Sequence, residues 1–550
     1  MEINSFKARA LAVLSSTAII ATMMVAAPAH AALVGPICDG ISPIQTCVGT
    51  TTDDAPFVMK VPANFKGTVA LYSHGYRYNV NIPVGIPFVG GYTVTNTPEP
   101  MPEGNLAIAG YLFSQGVAIM GSGFSRQGWN LDAAVQSNVE LVGLFKDKFP
   151  TTKRVVAWGN SLGGIITQTL AEKYPMLVDA VAPMCMPDNI APQLTGAGDF
   201  LWGMKTLFDP TIKGGNYSAG AAGNGEAFGD IIKVLTVMAS LSNPANLATG
   251  AWPATSSATG KALEAAKIPS RSAVLLLGLM TGIPTQSAHF DSVSGPSGAL
   301  KSLFPIALSP ALAIIENGAT AAILAILVTQ DIELQAGGAV FDNSATDYTA
   351  RVVNERVVFN AALSGESAID AMLGALSPAN PGAPRATASA SAVAKMGTLA
   401  ATTGKVNVPT IMMVGVADPV TPAGATQRIA DLYLAQYQAE RAAGIAAAKK
   451  SRTLASPKNK LAIFWGTTPK SYTTFNEAGS PITTVPAAPG TDHCNFSTKQ
   501  YLAVAKAMLS AASKGEVPGA GEMATAARRA GNLSTDKFFR APLLKFYNEQ

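Results

Sequence analysis

Short apolar runs, several of them closed by a glycine or a turn, recur along the chain and constrain its architecture more than any other feature. They are GTVALYSHG (67–75), GVAIMGSGF (116–124), RVVAWGNS (154–161), VDAVAPMCM (178–186), VPTIMMVGVAD (408–418) and LAIFWG (461–466). They do not alternate apolar and polar residues, which is the pattern of strands buried on both faces. Helical spacing of apolar residues fills several of the gaps: LDAAVQSNVELVGLFKDKF (131–149), LGGIITQTLAEKY (162–174) and AGATQRIADLYLAQYQAERAAGIAAA (423–448). Strands that alternate with helices predict an α/β fold, with a mostly parallel central sheet and flanking helices.

The alternation breaks between about 190 and 400, where Ala, Gly, Leu and Ser dominate and apolar runs such as SAVLLLGLM (272–280) and TAAILAILV (320–328) look helical. Neither run is long enough by itself to span a membrane. The chain therefore divides into a first part of the α/β core (32–190), a large, mainly helical cap (191–399), a second part of the core (400–512) and a tail (513–550). ALSPANPGAPRATASASA (375–392) reads as the linker leaving the cap. The tail has no clear pattern until KFFRAPLLKFY (537–547), expected to pack back on the surface. With 48% hydrophobic and 13% charged residues the chain has ample material for a core. A net charge of +4 without a basic run excludes an electrostatic footprint for nucleic acid.

Lys7 and Arg9 precede an uncharged stretch from Leu11 to Ala27, followed by APAHA. These are the parts of a secretory signal peptide, cleaved after Ala31. The mature chain is then secreted or periplasmic, without a stable membrane span, and in an oxidising compartment its four cysteines form two bridges. Cys38 and Cys47 are near enough to close a small loop, which leaves Cys185 and Cys494 to pair across the fold.

Within WGNSLGG (158–164), Ser161 stands between Gly159 and Gly163 after a predicted strand and before a predicted helix. A serine on such a turn projects its hydroxyl above the sheet edge, and the glycines let strand and helix approach closely. It needs a base. Of four histidines, His30 lies in the signal peptide, His74 ends the first long strand and His289 lies in the cap. Only His493, in GTDHCNF, falls late on a core loop. Serine turns of this kind are followed in chain order by an acid and then the histidine. Asp418, after TIMMVGV, fits the acid; Asp188 is the runner-up, and Asp492 is too close to His493 in sequence to reach its ring. The oxyanion donors are expected to be the Leu162 and Tyr76 backbone N–H groups, with His74 shaping their loop.

Taken together, these motifs resemble the α/β-hydrolase superfamily, as in secreted esterases and lipases, over about residues 50–190 and 400–512, with the cap in the place of that family's lid. The resemblance implies a Ser161–His493–Asp418 triad, a carboxylic ester substrate and no metal or organic cofactor. Tannases and feruloyl esterases bridge a cysteine after the catalytic histidine to one just before the serine. Here Asn160 precedes Ser161, so the resemblance implies another tether, Cys185–Cys494. The apolar cap predicts a hydrophobic acyl or aryl pocket, with Phe124, Trp129 and Trp202 as wall candidates, for a small-molecule or polymeric ester. A peptidase or amidase of the same fold is the alternative, against which HGYRYN counts because proline-specific members carry an HGGPG-type loop. A non-catalytic binding protein is the more distant one, since no triad member is missing.

Overall fold

The computed structural model describes residues 35–40, 43–290, 309–399, 402–451, 457–468 and 489–548. The expected signal peptide lies outside them. Among the described residues ten strands form one sheet: β1 (Ile37–Cys38), β2 (Ile44–Thr50), β3 (Pro56–Pro62), β4 (Thr68–Ser73), β5 (Val117–Ser122), β6 (Arg154–Asn160), β7 (Ala180–Met184), β8 (Thr410–Gly415), β9 (Leu461–Gly466) and β10 (Leu533–Ser534). Their order is β1-β2-β3-β5-β4-β6-β7-β8-β9-β10.

The apolar runs read from the sequence are β4 to β9, and they make the parallel centre of the sheet. Every residue of β5, β7 and β8 is buried, as continuous apolar strands require. One face is covered by α2 (Leu131–Lys148) and α3 (Leu162–Lys173), through Leu141, Phe145 and Ile166. The opposite face is covered by α1 (Leu106–Ser114), through Ile108 and Leu112, and by the late helix Thr498–Lys514, through Val504 and Met508. The α/β class and its mostly parallel sheet are thus as expected. The antiparallel edge β1-β2-β3 adds strands that the sequence reading did not identify.

Between β7 and β8 the described chain forms helices and no strand, including α4 (Ile190–Leu207), α5 (Gly220–Leu241), α6 (Ser270–Thr281) and α7 (Ser309–Ala336). They bury a core of their own around Leu201, Ile231, Leu276 and Ile314. The run 320–328 belongs to a helix of 28 residues, long and apolar enough to cross a membrane by length and composition. In the fold most of α7 is buried, packed on α4, α5 and α6.

The tail also departs from the reading. It contains α9 (Ala520–Ala530), after α8 (Ala423–Ser451), and β10, which closes the far edge of the sheet against β9. Within 537–547, Ala541, Leu544 and Phe546 are buried against the rest of the chain. Both expected disulfides are present. Cys38–Cys47 joins cross-strand partners of β1 and β2, and Cys185–Cys494 ties the end of β7 to the loop before Thr498. Such bridges persist in an oxidising compartment.

Candidate active site

β6 ends at Asn160 and α3 starts at Leu162, so Ser161 is the whole turn between them. Its φ of 56° and ψ of −124° lie where a side chain is strained. The Ser161 N–H donates to the Met184 carbonyl at 2.9 Å, which pins the turn to β7. Glycine is required beside it. A Cβ on Gly159 would stand 2.3 Å from the Gly163 carbonyl oxygen, and one on Gly163 would stand 2.0 Å from that of Ser73. The chain crossing here is backbone on backbone.

Three side chains expected to act together are brought together. His493 Nε2 lies 2.9 Å from Ser161 Oγ, and its Nδ1 lies 3.0 Å from each oxygen of Asp418. Asp418 follows β8 and is fully buried. Its Oδ1 accepts the Val420 and Thr421 N–H groups at 2.9 and 2.8 Å, and its Oδ2 accepts the Cys494 N–H at 3.2 Å. These fixed donors aim the carboxylate at the ring. Thr421 Oγ1 sits 3.0 Å from Asp418 Oδ2 and 2.7 Å from the Cys185 carbonyl. Sequence reasoning missed Thr421, although DPVT carries its signal: an Asp whose side chain caps the second and third residues after it.

Burial pulls the His493 pKa down, but the Asp418 charge and hydrogen bond, with the Asp492 charge, outweigh it and hold it above 6.5. Asp492 does not reach the ring: its Oδ1 accepts the His493 backbone N–H at 2.7 Å. Asp188 has a different set of partners, accepting from Tyr547 Oη at 2.6 Å and from Arg428 at 2.9 Å. Asp418, His493 and Cys494 gather within 4.8 Å as a metal site would, but the Cys494 sulfur is bonded to Cys185 and offers no thiolate.

The loop after β4 runs against the serine. A Cβ on Gly75 would be 3.4 Å from the Asn160 carbonyl oxygen and 3.5 Å from Ser161 Cβ, so the loop packs on the serine turn itself. His74 is buried, and burial, aided by Arg77, pulls its pKa down to about 4, so its ring is neutral. The ring donates from Nδ1 to the Gly75 carbonyl at 2.7 Å and lies 4.5 Å from that of Phe124. The cap holds the same loop through Asp331 of α7. Asp331 accepts from Tyr76 Oη at 3.1 Å, from Asn79 at 2.8 Å and from the Trp129 N–H at 2.6 Å.

Above Ser161 lies a cavity with about 960 Å³ of space between its walls, some of it open solvent. Core and cap both line it: Tyr76, Trp129 and Leu162 below, Leu194 of α4 and Leu324 of α7 above. Of the expected wall residues only Trp129 is here. Phe124 is fully buried beneath His74, and Trp202 faces a separate cap cavity, stacked on Tyr348 at 5.1 Å. Both aromatic rings are packed by neighbours that the sequence does not place next to them. Leu544 and Phe546 of the tail are wall residues that the reading missed.

The chain matches no protein-family model and no curated protein. Among solved structures it is similar to feruloyl esterase B from Aspergillus oryzae, at 13% identity over 86% of this chain and 82% of that one, with a TM-score of 0.35. It is similar to an esterase from Aspergillus oryzae at 14% identity, over 77% and 72% of the two chains, with a TM-score of 0.29. It is similar to the Pyrococcus furiosus esterase Pf2001 at 17% identity, TM-score 0.22, covering 31% of this chain and 64% of that one's length. The fold itself is read from the chain's own strand order and its strand–Ser161–helix turn: an α/β-hydrolase fold with a helical insertion.

Proposed function

We propose that the protein is a serine hydrolase that cleaves carboxylic esters of apolar acyl groups through an acyl-enzyme. The observation that carries this is the continuous chain of contacts from Ser161 Oγ to His493 Nε2 at 2.9 Å and from His493 Nδ1 to Asp418 at 3.0 Å. His493 Nε2 takes the Ser161 proton as Oγ bonds to the ester carbonyl carbon. Asp418 keeps the proton on Nδ1 and stabilises the imidazolium. The Leu162 and Tyr76 N–H groups receive the oxyanion, with the positive end of α3 behind them. His493 then gives its proton to the leaving alkoxide. Water, deprotonated by the same nitrogen, attacks the acyl carbon; the bond to Ser161 Oγ breaks, His493 returns the proton to Oγ, and the acid leaves.

The cavity wall is largely aliphatic and favours an apolar acyl group, small or within a polymer. In this reading the chain is exported, with residues 1–31 as its signal peptide. The two disulfides support that compartment. The test is hydrolysis of p-nitrophenyl esters from acetate to palmitate by the protein and by Ser161→Ala. Turnover by the parent that disappears in the variant is expected. Turnover that survives in the variant, or no turnover by folded parent protein, removes the reading, and peptide substrates come next.

A further inference from the structure

We infer that the C-terminal segment 541–547 is a strap forming one wall of the acyl cavity, and that Phe546 sets the length of acyl chain the cavity accepts. The inference rests on the ester-hydrolase reading and narrows it to esters of aliphatic acyl chains.

Phe546 and Leu544 line the cavity that opens over Ser161 and are 2% and 6% exposed. The Phe546 ring is wedged between two cap residues. Its tip would stand 2.9 Å from a Cβ on Gly196 of α4, and the Arg351 guanidinium covers it at 5.2 Å. Arg351 is itself fixed by a buried ion pair with Asp199. A ring held on both sides is a stop, because it cannot swing aside at small cost as an exposed side chain does.

Both flanks of the strap are tied down. Tyr547 Oη donates to Asp188 at 2.6 Å, and Arg428 lies over the Tyr547 ring at 5.2 Å while donating to the other Asp188 oxygen. Lys545 pairs with Glu355 of the cap at 2.8 Å. Against the core, the strap backbone runs over Gly424, where a Cβ would be 2.3 Å from the Pro542 carbonyl oxygen. The Ala541 N–H donates to Gln427 at 3.1 Å. The strap therefore joins core to cap with the cavity between them. The buried carboxylate of Asp188 serves this anchor.

Among the described residues the lining carries no charged side chain and is mostly aliphatic, which suits a neutral chain. Trimming the stop deepens the cavity, and each added methylene then gains its burial.

The test compares the parent with Phe546→Ala and Phe546→Trp on p-nitrophenyl esters of graded chain length, with thermal unfolding to certify each fold. In Phe546→Ala the optimum moves to longer chains, and kcat/KM for a chain two carbons longer than the parent optimum rises about tenfold relative to that optimum. In Phe546→Trp it moves to shorter chains. Identical length profiles in parent and both folded variants overturn the inference while leaving the hydrolase reading intact. Absence of turnover by the parent on every ester removes that reading instead. Fluorescence titration with dansylated fatty acids of graded length then reads the wall alone. A length dependence that Phe546→Ala leaves unchanged overturns the inference there too.

Discussion

Adding one methyl group at Gly163 tests the geometry of the Ser161 turn with the least chemistry. Its Cβ would lie 2.0 Å from the Ser73 carbonyl oxygen and 2.7 Å from that of His74, where ordinary contact begins at 3.4 Å. Both obstacles are backbone, so no flexible side chain can yield. The end of β4 and the head of α3 must separate by more than an ångström. Overpacking of this kind destabilises by about 1–3 kcal/mol, a fall in Tm on the order of a few degrees for a chain of this size. The separation also moves the Gly75–Tyr76 segment away from Ser161, and a displacement of about 1 Å between reacting groups lowers rate about 100-fold. Gly143→Ala is the control. It lies in α2 with nothing within 4 Å of its added Cβ, so it should stabilise by up to about 1 kcal/mol and leave kcat/KM unchanged. Thermal unfolding and kcat/KM on the best ester give both readouts. A Gly163→Ala protein with the parent's Tm and kcat/KM would refute the tight crossing.

Asp418→Asn keeps the shape of the acid but removes the charge that holds the His493 tautomer. A drop in kcat of about 10³ to 10⁴ is expected with Tm little changed, and a loss under tenfold would exclude Asp418 as the partner. In the proposed mechanism the neutral His493 ring is the base, and the Asp418 and Asp492 charges raise its pKa from 6.5, so kcat/KM should rise with pH along a limb centred above that value. Asp492→Asn removes one of the charges that raise it, and the limb should move to lower pH; a limb that stays in place contradicts the assignment. Replacing Cys185 and Cys494 by alanine opens a cross-link over 309 residues, for which chain entropy sets an upper bound of about 5–6 kcal/mol. Urea unfolding should show a lower midpoint, and an unchanged one would mean the bridge constrains nothing.

The parts of this protein that a sequence displays best are those with one unambiguous period. The runs that became β4 to β9 are short and mostly apolar, and their alternation with segments of helical spacing marked them as doubly covered strands. β2 and β3 mix polar and apolar residues at a sheet edge, so they carry only a weak signal. The tail helix α9 buries little besides Met523 and Ala527, and an Ala-rich charged segment does not announce its contacts. For the site, position along the chain singled out His493 and strand ends singled out Asp418, since both arguments depend on order rather than on packing. Phe124 and Trp202 failed as wall residues because burial of an aromatic ring is legible while the identity of its neighbours is not. Phe546 was illegible for the same reason: its place in the wall depends on a tail returning to the cap.

The strained backbone of the site also has a physical logic. Ser161, Cys185, Asp492 and Cys494 all hold positive φ without being glycine, at 56°, 40°, 66° and 52°. Each such conformation costs about 1–3 kcal/mol and persists only where neighbours leave no alternative. Ser161 is pinned to the Met184 carbonyl, and the Cys185 N–H donates to the Met413 carbonyl at 2.7 Å. The Cys185–Cys494 bridge then fixes the histidine loop to that same corner of the sheet. Asp492 grips the His493 N–H, and Cys494 donates to Asp418. His493 is therefore positioned by residues on both sides of it in sequence and by β8 beneath it. Ser161 is fixed by the turn at the end of β6 and by its N–H bond to Met184 of β7. Ser161 and His493, the nucleophile and base of the proposed mechanism, stand on one sheet and owe their separation to the core, and in that reading the cap and strap define what fits between them.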